Sequence, residues 1–206
     1  MVGMDRSGRA TAIDMGGPVR IDVAGGNPGW ALSPDGSRLA IALVTASGSD
    51  IWVKQLPTGP LSRVTFDSLP DVRPRWMPGG RALTYIAFRG NELQLRSAAA
   101  DGTGGDTVVA RHPAGIFEGA GSPDGRWIVA RIRGGLGHVG RDIVAFHVGG
   151  DTTAVPMVAS ADFDENALAL SPDGRWIAYE SDETGRREVY VRPFPGTNEG
   201  KWQAST

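Results

Sequence analysis

The sequence predicts an all-β fold of four repeated units, each a four-stranded antiparallel meander. Three observations predict it. A turn recurs as Ser33-Pro34-Asp35-Gly36, Ser122-Pro123-Asp124-Gly125 and Ser171-Pro172-Asp173-Gly174, with a worn copy at Met77-Pro78-Gly79-Gly80. Its prolines lie 44, 45 and 49 residues apart, and each turn is followed by an apolar run and then by an acid that opens a second run: Asp50, Glu92, Asp142 and Glu188. No segment keeps a 3.6-residue apolar period with caps, so almost no helix is expected. Four strands per unit at this period is the pattern of a β-propeller blade.

The turn has a physical basis. Proline presets the φ of the second position of a type I turn, the serine can bond back to the backbone, and glycine suits the exit. The runs after it, Leu39–Leu43, Leu83–Ile86, Trp127–Ala130 and Trp176–Tyr179, are short, apolar and bounded by Gly and Pro, as strands are.

In chain order, residues 1–26 read as the tail of a preceding blade, with extended pieces at Val2–Met4, Ala10–Ile13 and Val19–Val23. The blades follow at about 27–70, 71–112, 113–160 and 161–206. The first is expected to hold strands at Trp30–Leu32, Arg38–Val44, Asp50–Gln55 and Leu61–Phe66. The second has Arg73–Trp76, Ala82–Ala87, Glu92–Ser97 and Thr107–Ala110, and the third starts near Ile116 with Ile128–Ile132, Asp142–Val148 and Ala154–Val158. The fourth runs from Asn166 through Trp176–Glu180, Glu188–Arg192 and Lys201–Ala204.

Composition sets outer bounds. The 206 residues suffice for a substantial core. A net charge of -2 with mixed signs gives no electrostatic case for nucleic acid, and no apolar run approaches a membrane span. The absence of Cys excludes disulfides and thiolate chemistry. The first residues lack the apolar core of a signal peptide, so any export signal is expected outside this chain.

The repeated Ser-Pro-Asp-Gly, followed by Arg-Trp-Ile-Ala and then by Asp50-Ile51-Trp52-Val53 or Glu188-Val189-Tyr190-Val191, resembles the TolB-like propeller repeats, relatives of the WD-repeat type. The resemblance covers residues 27–206; the second unit departs from it at its turn. More narrowly, Glu188–Pro195 with Gly200-Lys201-Trp202-Gln203 looks like propellers found C-terminal to bacterial serine/threonine kinase domains. Such propellers usually close with six or more blades, so the resemblance favours four blades plus a partial one as a piece of a larger ring, over closure by association or an open arc. It also implies a periplasmic or extracytoplasmic setting.

Motifs for chemistry are sparse. Gly135-Leu136-Gly137-His138-Val139-Gly140 fits a dinucleotide string but lacks the helix such a site needs, so it reads as a flexible loop. Asp162–Asn166 resembles the start of a calcium loop, yet its sixth position is Ala167 and its twelfth Asp173; it reads as a solvated acidic loop. His112, His138 and His147 lack metal-ligand spacing, and Ser122 lacks the Gly two residues ahead that a nucleophile elbow needs. The four strand-opening acids are expected to bond backbone donors, and Trp52, Trp76, Trp127, Trp176 and Trp202 to pack in or between blades.

No catalytic residue, cofactor or metal site is therefore expected. The reading is a non-catalytic binding or scaffold module, for protein–protein interaction or ligand sensing, with a protein or peptide partner, no nucleic acid and no membrane insertion by this chain. Open blade edges add self-association. The contacts fall on the loops between second and third strands and between blades: Asp71, Arg89, Arg131, Arg133, Arg141, Asp162, Asp164 and Asp182. The alternative is the propeller portion of a larger enzyme, a bacterial serine/threonine kinase or a prolyl-oligopeptidase-like peptidase, with its catalytic domain elsewhere.

Overall fold

A computed structural model describes residues 2–4, 10–22, 29–46, 48–134, 140–150 and 153–205. Among these the regular structure is all β. A two-stranded sheet, β1 (Val2–Met4) and β2 (Ala10–Ala12), precedes four four-stranded sheets. The first blade comprises β3 (Trp30–Leu32), β4 (Arg38–Thr45), β5 (Gly48–Gln55) and β6 (Leu61–Arg63). The second is β7 (Asp71–Trp76), β8 (Ala82–Arg89), β9 (Glu92–Ala99) and β10 (Thr107–Ala110). The third is β11 (Ile116–Gly121), β12 (Trp127–Arg133), β13 (Arg141–His147) and β14 (Val155–Val158). The fourth is β15 (Asn166–Leu170), β16 (Trp176–Ser181), β17 (Glu188–Pro193) and β18 (Trp202–Gln203). Strands neighbour one another in chain order in every sheet, as a meander requires. Within each blade the recurring turn and the third-to-fourth connection share one end, and the remaining loops share the other.

The recurring turn closes on its own side chains. Ser33 Oγ donates to Asp35 Oδ1 at 2.6 Å and accepts from Arg38 N at 2.9 Å, while Asp35 Oδ1 takes Ser37 N at 3.0 Å. Ser122 with Asp124, and Ser171 with Asp173, repeat the pattern. Gly36, Gly125 and Gly174 take φ of 74°, 71° and 69°, a left-handed conformation that favours glycine. Hydrogen bonding to the serine, then to the backbone, holds the Asp35, Asp124 and Asp173 carboxyls below the usual range; for Asp173 the value falls to about 2.

Two compact units hold the cores: Met1–Phe88 with Arg96–Thr107, and Arg89–Leu95 with Val108–Thr206. In the first unit both faces of β4 are covered. Leu39, Ile41 and Leu43 pack on Met15, with Ile13 and Ile21 alongside, while Ala40 and Ala42 join Ile51, Val53, Leu83 and Tyr85. In the second, Val129, Ile143, Ala145 and Met157 meet Ile177, Tyr179, Tyr190 and Phe194. A strand covered on both faces needs apolar residues at successive positions, which is why the second-strand runs are continuous. Full burial of each Ile or Leu is worth about 1.5–3 kcal/mol.

The first strands are irregular in a shared way. Register shifts fall between Val72 and Arg75, Ile116 and Glu118, and Asn166 and Ala169, with positive φ at Arg73 and Ala167. In the first blade two separate pieces pair with β4: Trp30–Leu32, and residues 20–22 through the Ile21↔Leu43 bridge. Of the expected Val19–Val23 strand, the described residues 19–22 carry the single bridge at Ile21, and Val23 lies outside the described residues. Gly29 is required at that junction, since a Cβ would stand 1.7 Å from the Asp22 carbonyl oxygen. β6 ends three residues short of the expected Phe66, because Val64 N and Thr65 N both bond Ile51 O and Thr65 Oγ1 accepts from Ile51 N at 3.0 Å. β18 is likewise shorter than Lys201–Ala204.

Two further expectations need correction. Three of the strand-opening acids, Asp50, Glu92 and Glu188, bond side chains, not backbone donors: Asp50 Oδ2 accepts from Arg63 at 2.8 Å and Thr45 at 3.3 Å, and Glu188 from Ser205 and Arg186 at 2.5 Å each. Glu92 is exposed, with Gln94 Nε2 at 2.8 Å. Among the tryptophans, Trp76 donates to Ala31 O at 2.9 Å and Trp127 lies 3.7 Å from the His147 ring, but Trp176 and Trp202 stay exposed on β16 and β18, edge-to-face at 5.6 Å.

Candidate functional site

The loop end of the second unit gathers most of the candidate residues. Its hub is Asp164, just before β15. Its Oδ1 accepts Arg141 N at 2.9 Å and Arg141 Nε at 2.7 Å, and its Oδ2 accepts from Arg141 Nη2 and Arg187 Nη2. Asp164 N in turn donates to Asp182 Oδ1 at 2.9 Å. Bonds from Arg141 and Arg187 hold the Asp164 carboxyl well below the usual range, against the opposing effect of burial. The stretch 162–166 is therefore not a solvated loop beyond Asp162: two guanidinium groups and a backbone bond, Glu165 N to Arg141 O at 3.0 Å, anchor it. Gly140 faces it so closely that a Cβ would lie 2.5 Å from Asp164 Cα. The rest of the glycine-rich string, residues 135–139 with His138, falls outside the described residues.

Two clefts adjoin this network. One, of about 480 Å³, is lined by Glu92, Leu93, Arg111, His112, Phe117 and Arg133, among others. The Arg133 guanidinium lies 5.8 Å from the Phe117 ring centre and that of Arg131 5.7 Å. Arg111 and Arg133 are exposed, so the cleft carries accessible positive charge beside an aromatic face. Burial lowers the His112 pKa, with the Asp142 charge opposing it, so His112 adds no charge at neutral pH. The second cleft, of about 330 Å³, is lined by Met157, Phe163, Glu165, Tyr179, Glu183 and Arg192, among others. Glu165 is only 2 % exposed, its Oε2 has no hydrogen-bond partner, and burial followed by the Asp142 charge pushes its carboxyl up to about 7.

The other candidates separate by burial. Asp71 in β7 is 0 % exposed and Arg131 in β12 is 4 % exposed, the latter bonded to Glu118 at 3.0 Å; neither offers a side chain to solvent. Both sit in strands: β7 begins at Asp71, two residues before the expected Arg73, and Arg131 lies within the strand expected at Ile128–Ile132. Arg89 is half-buried at the end of β8, Arg133 and Asp162 are exposed, and Arg141, Asp164 and Asp182 form the network above. Sequence reasoning missed Glu165, Phe117, Arg187 and Arg192. Glu165 alone left a signal, an acid at the same distance before its turn as Asp71 is before Met77. Among the described residues no group of three or more His, Asp or Glu could hold a metal ion, and no helix is long and apolar enough to cross a membrane.

Comparison with solved structures gives one architecture. A putative TolB from Agrobacterium tumefaciens superposes with a TM-score of 0.75 at 21% identity, over 97% of this chain and 69% of that one. TolB from Acinetobacter baumannii gives 0.69 at 21% identity, over 83% of this chain and 41% of its own. A prolyl endopeptidase gives 0.67 at 16% identity, over 98% of this chain but 32% of that enzyme. The chain thus spans well under half of the last two. At these identities the likeness shows the fold. The model of the TolB beta propeller domain matches residues 19–204, nearly the whole length over which the turns and blades repeat, and the chain belongs to that family.

Proposed function

We propose that this TolB-like propeller module is a non-catalytic binding unit that takes an acidic segment of a protein or peptide partner at its loop end. The observation that carries the reading is the cleft of Arg111, His112, Phe117 and Arg133, where two exposed guanidinium groups flank an aromatic face. Guanidinium pairs carboxylates bidentately and stacks on rings, the combination suited to Asp or Glu beside an apolar residue. Half-buried Arg89, at the end of β8 and three residues before Glu92 of the cleft, is assigned to the same proposed surface. Fluorescence anisotropy with a labelled peptide of alternating Glu and Leu tests it: saturable binding weakens at least tenfold in Arg133→Glu and falls with salt, while a Gln-for-Glu peptide fails to bind. Equal binding of both peptides would overturn it.

A second reading places the chain as the propeller of a larger enzyme, of the kinase-linked or prolyl-oligopeptidase-like type. Its support is the alignment of nearly the whole chain with a third of a prolyl endopeptidase, together with the Glu188–Pro195 resemblance. Peptidase and kinase assays on the full-length gene product, beside the isolated chain, distinguish it: activity in the former alone supports this reading. Self-association belongs to the proposal too, through the exposed apolar face of the fourth blade, where Trp176, Val189 and Trp202 lie open.

A further inference from the structure

We infer that the cleft walled by Glu165, Glu183 and Tyr179 binds a cationic group, a guanidinium or primary ammonium carried as the charged end of a ligand. This goes beyond the acidic-segment reading and stands on different residues. Glu165 is almost wholly buried in the cleft wall with Oε2 unpartnered. A buried carboxylate without a partner is costly, so a proton or a cation must neutralise it.

The nearby cations bond other groups, two of them within the cleft wall itself, and leave Glu165 Oε2 without a partner. Arg141 and Arg187 bond Asp164, and Lys201 Nζ lies 2.5 Å from Glu183 Oε1. Arg192 donates from Nε to the Tyr179 hydroxyl at 2.9 Å and from Nη1 to Thr197 O at 3.1 Å. The charges that most affect Glu165 are acids: Asp142 on β13, Asp164 before β15 and Asp182 after β16. Burial first, and these acids after it, push its carboxyl up.

The walls are also held in place. Thr197 Oγ1 donates to Met157 O at 2.7 Å, fixing the β14 side, and the Asp164 network fixes the segment that carries Glu165. At about 330 Å³ the cleft is at the small end of ligand sites, room for one charged side chain rather than a folded peptide. Phe163 supplies aromatic surface, which favours guanidinium through its flat face.

Isothermal titration of the protein with N-acetyl-arginine amide tests the inference, with N-acetyl-citrulline amide as the neutral isostere. The expected result is saturable binding of the arginine derivative, none of the citrulline derivative, and at least a tenfold loss in Glu165→Gln. Binding at pH 6.5 should release a proton, read from the dependence of the heat on buffer ionisation enthalpy. Ala159→Trp, at the exposed rim, should block binding without lowering Tm, and it stands in should Glu165→Gln misfold. Free arginine and a capped Gly-Arg-Gly peptide separate the sources: preference for the first indicates a small metabolite, and for the second a partner's side chain. Equal binding of arginine and citrulline derivatives, or no binding of either at millimolar concentration, overturns the inference. Arg133→Glu should leave this binding unchanged, so its outcome is read apart from that of the acidic peptide.

Discussion

Two sets of carboxyls pull stability in opposite directions with pH. The turn aspartates ionise more readily folded than unfolded, Asp173 near about 2 against 3.8, so their contribution is present above pH 4 and lost as pH falls. The Asp35, Asp124 and Asp173→Asn triple variant should therefore lose less of its urea midpoint than the wild type between pH 4 and pH 2.5. Glu165 has the reverse sign. It ionises near 4.5 when unfolded and about 7 when folded, so the folded state holds its proton more tightly and stability declines as pH rises through that window. The decline approaches about 3 kcal/mol, and Glu165→Gln should abolish it in urea melts at pH 5 and 7.5. The turns were legible because serine, proline, aspartate and glycine act within five residues of each other. Glu165 was not, because its isolation depends on Asp142 and Asp182, distant in the chain.

At the scale of the element, second strands were read correctly from continuous apolar runs, since burial on both faces leaves its mark in composition. First strands were harder. Their bulges at Arg73 and Ala167 depend on backbone conformation that neither residue type announces. The same gap hid the role of Gly140, which sequence reading gave to a flexible loop. Gly140→Ala should press a methyl group into the Asp164 backbone and cost about 1–3 kcal/mol, read as a lower Tm. Ile177→Ala removes a fully buried side chain from the core shared by the third and fourth blades and should cost about 2–5 kcal/mol.

At the scale of the molecule, four meanders and their order were legible from the spacing of four prolines, whereas the distribution of partners was not. The β12 and β13 face bearing Val129, Ile143 and Ala145 is covered by the next blade, but the corresponding face of the fourth blade leaves Trp202 53 % exposed. Under the self-association proposal, Trp202→Glu should shift sedimentation velocity at high protein concentration toward the monomer without changing Tm by more than a few degrees.

The serine–aspartate turns carry a consequence for biosynthesis. Their bonds span two to five residues, and each meander pairs only strands adjacent in the chain. Little loop entropy therefore stands between a newly emerged segment and its closed sheet. A nascent chain can complete one blade as the ribosome translates the next, and each finished sheet then offers a template face to the one that follows.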